Sequence, residues 1–262
     1  MCGVAGYSVS ARSEVSRTLA AQALLAGIAE RGSDAVGYAV RGRDGTVAVR
    51  KRRAGASALL EELSLPADAA QVLLHVRDYT KGHPRITSNN HPVRHGSVVG
   101  VHNGIILNDE ELLAHHAIER AHPRMTVDSE AIFALVELRE SDPRVLEQLR
   151  GSMAAAWLDE RDRDALFLAR GVGRPLWVGV GRNEVAFAST LQALEVLERY
   201  TTVKLRKREL DEGTLLRLEH GRIVSSWRFK PSRAFTETAL PAVRAPHEGA
   251  FCLSRLAALA AA

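Results

Sequence analysis

At 262 residues the chain is long enough to bury a core as one large domain or two small ones. Its hydrophobic share of 46% and charged share of 25% are ordinary globular values and exclude a mainly disordered chain. The net charge of +4 and pI near 9.3 hint at anionic ligands. Aromatic residues, at 5%, are too few for single-strand stacking platforms, so nucleic acid is a poor expectation as partner.

The cysteines, Cys2 and Cys252, stand at opposite ends of the chain. That is no disulfide framework, and it fits a reducing compartment. No basic segment followed by an apolar core opens the chain, and no run approaches the ~18 apolar residues of a membrane span. A soluble, cytoplasmic protein without a membrane partner is expected.

In chain order, residues 2–9 predict a short strand and residues 14–29 an amphipathic helix, from apolar positions at helical spacing. After the turn Arg31-Gly32-Ser33-Asp34, strands are predicted at 36–40 and 46–51, joined through Asp44-Gly45 as a hairpin. A short helix near 56–63 and a strand at 71–76 follow. Residues 77–94 form a polar, turn-rich stretch, long for a compact domain and therefore a candidate binding segment. A strand at 97–101 runs into His102-Asn103-Gly104, and Asn108 is the expected N-cap of the next helix. Helices are predicted over 128–139 and 143–149, then four consecutive strands at 153–158, 165–169, 176–180 and 185–188. Thr190 begins a short helix, and a last strand pair spans 214–218 and 222–226. From Pro231 the periodicity is lost, which sets residues 1–230 apart from a 231–262 tail that is loose, docked on the domain or partner-binding. Blocks of strands and helices, rather than strict alternation, argue for an α+β fold with antiparallel sheets.

The chemistry centres on Met1-Cys2-Gly3-Val4-Ala5-Gly6. Trimming of Met1 would leave Cys2 with a thiol and a free α-amine on one residue. Their ordinary pKa values, about 8.5 and about 7.7–8.0, poise both near neutrality. The amine then serves as proton acceptor for the thiol, as in N-terminal nucleophiles. The competing reading is an ordinary buried thiol on a first strand. Further pieces recur in order: Arg31 to Asp34, His75-Val76-Arg77 with Thr80 and Gly82, His102-Asn103-Gly104, and Asp128-Ser129-Glu130. Later fragments are Gly151-Ser152-Met153, Ala169-Arg170, Arg174-Pro175-Leu176 and Ala188-Ser189.

This ordered set resembles the class II glutamine amidotransferases, especially the glutaminase domain of glucosamine-6-phosphate synthase, over roughly residues 2–226. The resemblance implies a four-layer αββα N-terminal nucleophile hydrolase sandwich. It implies Cys2 as nucleophile and Asn103 with Gly104 as the oxyanion pair, through a side-chain amide and a backbone N–H. Arg77 then clamps the glutamine α-carboxylate, Asp128 accepts its α-amine and Thr80 helps to hold it, while Arg31 and Asp34 support the nucleophile strand. Plainer readings stand beside these: an Asn-Gly hairpin turn, a solvated arginine at a strand end, and a helix N-cap at Asp128.

Two positions depart from the family pattern. Asp78 stands where that synthase has Trp, and Lys81 where it has His. Tyr79 is the conjectured substitute cover. No cofactor is expected, since no phosphate loop of the GxxxxGK[ST] type is present. The histidines at 75, 83, 91, 95 and 102 fit no metal-ligand spacing, so no metal is expected, and Cys252 is expected to be inert. The sequence reading is thus a stand-alone glutaminase-type amidotransferase that takes glutamine and supplies ammonia to a separate synthase, docked through residues 77–94 or the tail. An amidase for another γ-glutamyl compound and a retired binding or regulatory subunit are the alternatives. The ammonia acceptor, the pathway and the oligomeric state stay open at this stage.

Overall fold

The computed structural model describes residues 2–42, 44–139, 142–237 and 241–261. The chain opens with β1 (Gly3–Val9), α1 (Arg17–Ile28), β2 (Ala35–Arg41), β3 (Val47–Arg52), the single-turn α2 (Ser57–Leu60) and β4 (Gln71–Arg77). A long loop leads to β5 (Val93–His95) and β6 (Val98–Ile106), then α3 (Asp109–His115) and α4 (Glu130–Leu138). Strands β7 (Gly151–Asp159), β8 (Asp162–Arg170), β9 (Trp177–Val180) and β10 (Glu184–Ala188) run consecutively. Helix α5 (Leu191–Tyr200), strands β11 (Arg206–Glu209), β12 (Thr214–Glu219) and β13 (Arg222–Arg228), and helix α6 (Pro246–Ala261) follow.

Two antiparallel sheets result, ordered β11-β9-β10-β1-β4-β2-β3 and β13-β12-β8-β7-β6-β5. Their strand patterns follow from position. β4, with Gln71-Val72-Leu73-Leu74-His75-Val76-Arg77, is buried along its whole length, as expected for a strand covered on both faces. β3, with Val47-Ala48-Val49-Arg50-Lys51-Arg52, alternates buried and exposed at the sheet edge. One buried apolar group, with Ala5, Leu24, Leu25, Leu74 and Leu194, joins the first sheet to α1 and α5. A second, with Val4, Leu73, Val101, Leu166 and Phe187, fills the space between the sheets. A third, with Val98, Ile132, Phe133 and Trp157, joins the second sheet to α4. These layers are the αββα sandwich implied by the resemblance.

Several expectations shift. The Asn103-Gly104 pair is no hairpin turn: β6 continues through it, pairing Asn103 with Ala154 and Gly104 with Met153. Asn108 sits at the start of α3 without capping it. Its side chain instead bridges Arg150 N–H (2.8 Å) and the Gln148 carbonyl (3.0 Å). Residues Pro143–Gln148 form a 3₁₀ turn rather than an α-helix. Asp128 precedes α4, whose cap position is Ser129. Arg206–Glu209 form the edge strand β11, and within the predicted tail Pro246–Ala261 form helix α6. That helix docks through buried Cys252 and Leu256, which join the group under α1. Glu248 on α6 accepts hydrogen bonds from Ser57 N–H (3.0 Å) and the Ser57 hydroxyl (2.9 Å). No helix among the described residues is long and apolar enough to cross a membrane.

β1 packs closely enough that its glycines have steric work to do. A Cβ at Gly6 would meet the Val72 carbonyl oxygen at 2.2 Å and the Phe187 ring at 2.5 Å. The first contact is backbone, which does not yield by a side-chain rotation. Gly6→Ala is therefore expected to destabilise the fold by about 1–3 kcal/mol, as overpacked cores do. Urea unfolding should show a lowered midpoint at unchanged slope; an unchanged midpoint would contradict this packing.

Candidate active site

Cys2 stands immediately before β1, and strand alternation puts it on the side of Val4, facing the second sheet. Its carbonyl accepts a hydrogen bond from Arg31 Nε (2.8 Å), and its thiol donates to the Asp78 carbonyl at 3.5 Å. Asp34 completes the support: its N–H donates to the Arg77 carbonyl (2.9 Å) and its carboxylate accepts from Tyr79 N–H (2.9 Å). The Arg31 to Asp34 turn thus ties the start of β1 to the end of β4. Burial pushes the thiol pKa up, and the positive charge of Arg77 opposes that rise. Arg31 and Arg174 also lie within electrostatic reach of the sulfur.

Arg77 ends β4 and is only 2% exposed, so it is no solvated strand-end arginine. Its Nη1 donates to Asn90 Oδ1 (2.6 Å), and its Nη2 donates to the Lys81 carbonyl (2.8 Å) and to that of Gly82. The loop after β4 therefore folds back onto its own arginine. Asp128 is buried, and its Oδ2 accepts from Ile106 N–H at 2.7 Å, joining the end of β6 to the start of α4. Burial raises its pKa to about 6; the Asp109 carboxylate adds to the rise, while the Ile106 hydrogen bond and Lys81 oppose it. Arg77 feels the charges of both Cys2 and Asp128, which sets it electrostatically between them. Thr80 is exposed at the loop surface.

The side chain of Asn103 is buried in the middle of β6, and among the described residues neither its Nδ2 nor its Oδ1 has a hydrogen-bond partner. Beside it, Gly104 has φ +144°, and a Cβ there would meet the Ser152 carbonyl at 2.0 Å. Only glycine fits both constraints. The preceding residue locks the strand: His102 Nδ1 lies 2.9 Å from the Ser129 hydroxyl, and its Nε2 lies 3.2 Å from the Ser152 carbonyl. Since a carbonyl only accepts, Nε2 carries the proton and the Ser129 hydroxyl donates to Nδ1. His75 Nε2 donates to the His102 carbonyl at 3.0 Å and its ring stacks on His91 with centroids 4.1 Å apart. Burial lowers the pKa of His75 to about 3 and that of His102 to about 4, so both are neutral packing groups. Among the described residues, no group of three or more His, Cys, Asp or Glu side chains is placed to hold a metal.

The two departures from the family pattern have partners. Asp78 accepts from Arg244 Nε at 3.0 Å, and Lys81 donates to both Asp109 oxygens (2.7 and 2.8 Å). Arg120 bridges Asp109 (3.1 Å) and Glu130 (2.9 Å) beneath the same loop. Tyr79 is 44% exposed and lies tilted against His83, so it does not close over Cys2 in this conformation. Sequence reasoning missed Asn90, Asp109, Arg120 and Arg244. Asp109 carried a false signal, since an acidic residue opening a helix reads as solvent-facing, yet it is 1% exposed. Arg174, which the sequence offered only as part of a fragment, pairs with Glu237. Cys252 is buried, and that burial pushes its thiol to about 12.

Residues 79–196 match the family model described as a glutamine amidotransferase domain, a span that includes Asn103, Gly104 and Asp128 but not Cys2 or Arg77. Over 121 residues, 44% of this chain, the sequence is 35% identical to the glutamine--fructose-6-phosphate aminotransferase (isomerizing) of Corynebacterium efficiens, and the matched part is 19% of that relative. The glutamine phosphoribosylpyrophosphate amidotransferase of B. subtilis superposes over 87% of this chain and 49% of its own, at TM-score 0.66 and 19% identity. A glutamine aminotransferase class-II domain protein of Silicibacter pomeroyi superposes over 88% of this chain and its full length, at TM-score 0.55 and 18% identity. This chain thus spans about half or less of the two longer relatives. At these identities the structural likenesses establish the fold alone, and residues 79–196 carry the match to the glutamine amidotransferase domain.

Proposed function

We propose that the chain hydrolyses the side-chain amide of glutamine through Cys2, releasing ammonia and glutamate. Met1 is removed first, which frees the Cys2 α-amine. The amine takes the thiol proton as sulfur attacks the amide carbon, and negative charge develops on the amide oxygen. Asn103 Nδ2 and the Gly104 N–H receive that oxyanion. Collapse breaks the C–N bond, the proton leaves with the nitrogen as ammonia, and a γ-glutamyl thioester remains. Water then cleaves the thioester, restoring the thiol and releasing glutamate. Arg77 pairs with the α-carboxylate of the substrate, Asp128 with its α-ammonium, and Thr80 adds a contact from the loop.

The observation that carries this reading is the Asn103 amide, buried and without a partner among the described residues. Leaving such a group unpaired costs about 1–3 kcal/mol. A cost of that size, kept beside the positive-φ Gly104 and on the sheet that faces β1, supports a site completed by ligand. In this reading residues 1–230 are the hydrolase unit, residues 231–262 are an appendage docked on it, and ammonia passes to a synthase on a separate chain. Affinity capture in the presence of glutamine, read by mass spectrometry, tests the last part.

A second reading, hydrolysis of another γ-glutamyl amide, draws support from Asp78. No aromatic side chain covers the leaving-group side at that position, and its carboxylate is held by Arg244. Arg77 and Asp128 recognise only the amino-acid end that all such compounds share, so competition between glutamine and other γ-glutamyl amides separates the two.

Three outcomes are expected. Glutamate release from glutamine, and labelling by 6-diazo-5-oxo-norleucine, should be lost in Cys2→Ala; turnover at the wild-type rate would remove Cys2 from the chemistry. Asn103→Ala should lower kcat by about 10²–10³-fold, the usual loss for one oxyanion donor, with a much smaller change in KM. Because Asp128 binds an ammonium only as a carboxylate and its pKa is raised to about 6, KM for glutamine should climb as pH falls through that value. Asp128→Asn should bind weakly at every pH, with that climb gone.

A further inference from the structure

The alternation of β3 turns Val47, Val49 and Lys51 toward the second sheet and leaves Arg50 and Arg52 exposed. Val47 and Val49 enter the apolar layer between the sheets. Lys51 continues that stripe to its rim, where a cavity of about 370 Å³ opens. Its lining includes Lys51, Ser88, Arg94 and His122, and no carboxylate belongs to it.

The acids nearby are already committed. Glu160 is held by Arg94 (2.6 Å) and by Val47 N–H (2.8 Å). Glu130 is held by His95, Arg120 and Ala121 N–H, and Glu137 by Ser97 N–H and hydroxyl. Among the described residues Lys51 therefore has no acidic partner, and its hydrogen bond to the Thr87 carbonyl is a long contact of 3.4 Å. Burial, helped by the charges of Arg77 and Arg94, lowers its pKa to about 8. The Ser88 hydroxyl is buried without a partner, as are both ring nitrogens of His91, which lies within electrostatic reach of Lys51.

Among the described residues, an ammonium without a paired carboxylate lines this concave space beside the Arg94 guanidinium, which Glu160 offsets, and beside Ser88, whose buried hydroxyl has no partner. The ammonium and the hydroxyl would be relieved by the same guest, an oxyanion with several acceptor oxygens. The volume exceeds that of an inorganic anion and lies within the range of small-molecule sites, about 300–1,000 Å³. We propose that this cavity binds the phosphate group of a small phosphorylated ligand, with Lys51, Arg94, Ser88 and His122 as its donors. Cys2 does not line this cavity, and the Arg77 guanidinium lies within electrostatic reach of both Lys51 and the Cys2 sulfur.

Calorimetric titration of the full chain with inorganic phosphate and with glycerol 3-phosphate near pH 7 tests this. One saturable site is expected for glycerol 3-phosphate, weakened about tenfold or more in Lys51→Met and less in Ser88→Ala. Lys204→Met, at an exposed basic groove elsewhere, should change nothing. Sulfate keeps its charge where phosphate titrates, so its affinity should fall between about pH 7 and 9 as Lys51 loses its proton. Melting temperatures of the variants identify any that fail to fold, and Ser88→Ala stands in if Lys51→Met does. No binding of glycerol 3-phosphate, equal binding by wild type and a folded Lys51→Met, or a pH-independent sulfate affinity would each overturn the proposal. Binding of inorganic phosphate without glycerol 3-phosphate would overturn the assignment to a phosphorylated metabolite.

Discussion

Strand β1 lies between β10 and β4, pairing Ala5 with Ala188 on one side and with Leu74 on the other. Its position is held by backbone hydrogen bonds on both edges and by apolar cover on both faces, so Cys2 is presented from a rigid strand end rather than from a free terminus. The Arg31 guanidinium adds the last constraint by gripping the Cys2 carbonyl. A side chain presented by a paired strand keeps its geometry, whereas one on a frayed terminus would not. The close approach that this demands explains why glycine recurs at positions 3 and 6, where any side chain would meet Val76, Ile28 or the Val72 backbone.

Charge around the site is buried and compensated in an ordered way. Asp109 is shared by Lys81 and Arg120, and Arg120 reaches on to Glu130. Removing one member of such a network strands the others in low dielectric, so the group acts as a unit. Asp128 lies beside this network, where burial and the Asp109 carboxylate raise its pKa against the opposing Ile106 N–H hydrogen bond. Arg77 is likewise held by carbonyl and amide oxygens rather than by a carboxylate, which leaves its charge unneutralised by any direct pair.

The C-terminal residues belong to the same frame. Arg244 N–H and Ala245 N–H both donate to the Glu30 carbonyl (2.8 Å each), and the Arg244 side chain reaches Asp78. The segment thereby contacts the two turns that support Cys2. Helix α6 then continues across α1 with Cys252 and Leu256 inward.

Most strands and α1 were legible because each rests on local pattern, apolar runs for doubly covered strands and helical spacing for the helix, while the layer order came from the resemblance. Three things were not. Asn103-Gly104 reads locally as a turn, and only pairing with β7 makes it the middle of a strand. Asp109 and Asn90 carry no inward signal, because their burial is set by Lys81 and Arg77 arriving from another segment. The end of the chain lacks a strong apolar stripe, and α6 is stabilised by the surface it lands on. The sequence by itself determined the residue types of the ordered motifs and the order in which they occur. Among the described residues, tertiary structure decided which amide is left without a partner, which carboxylate is hard to ionise and which lysine lines a cavity without a paired carboxylate. Those properties arise from desolvation and from charges brought together across the fold, and neither is encoded at any single position.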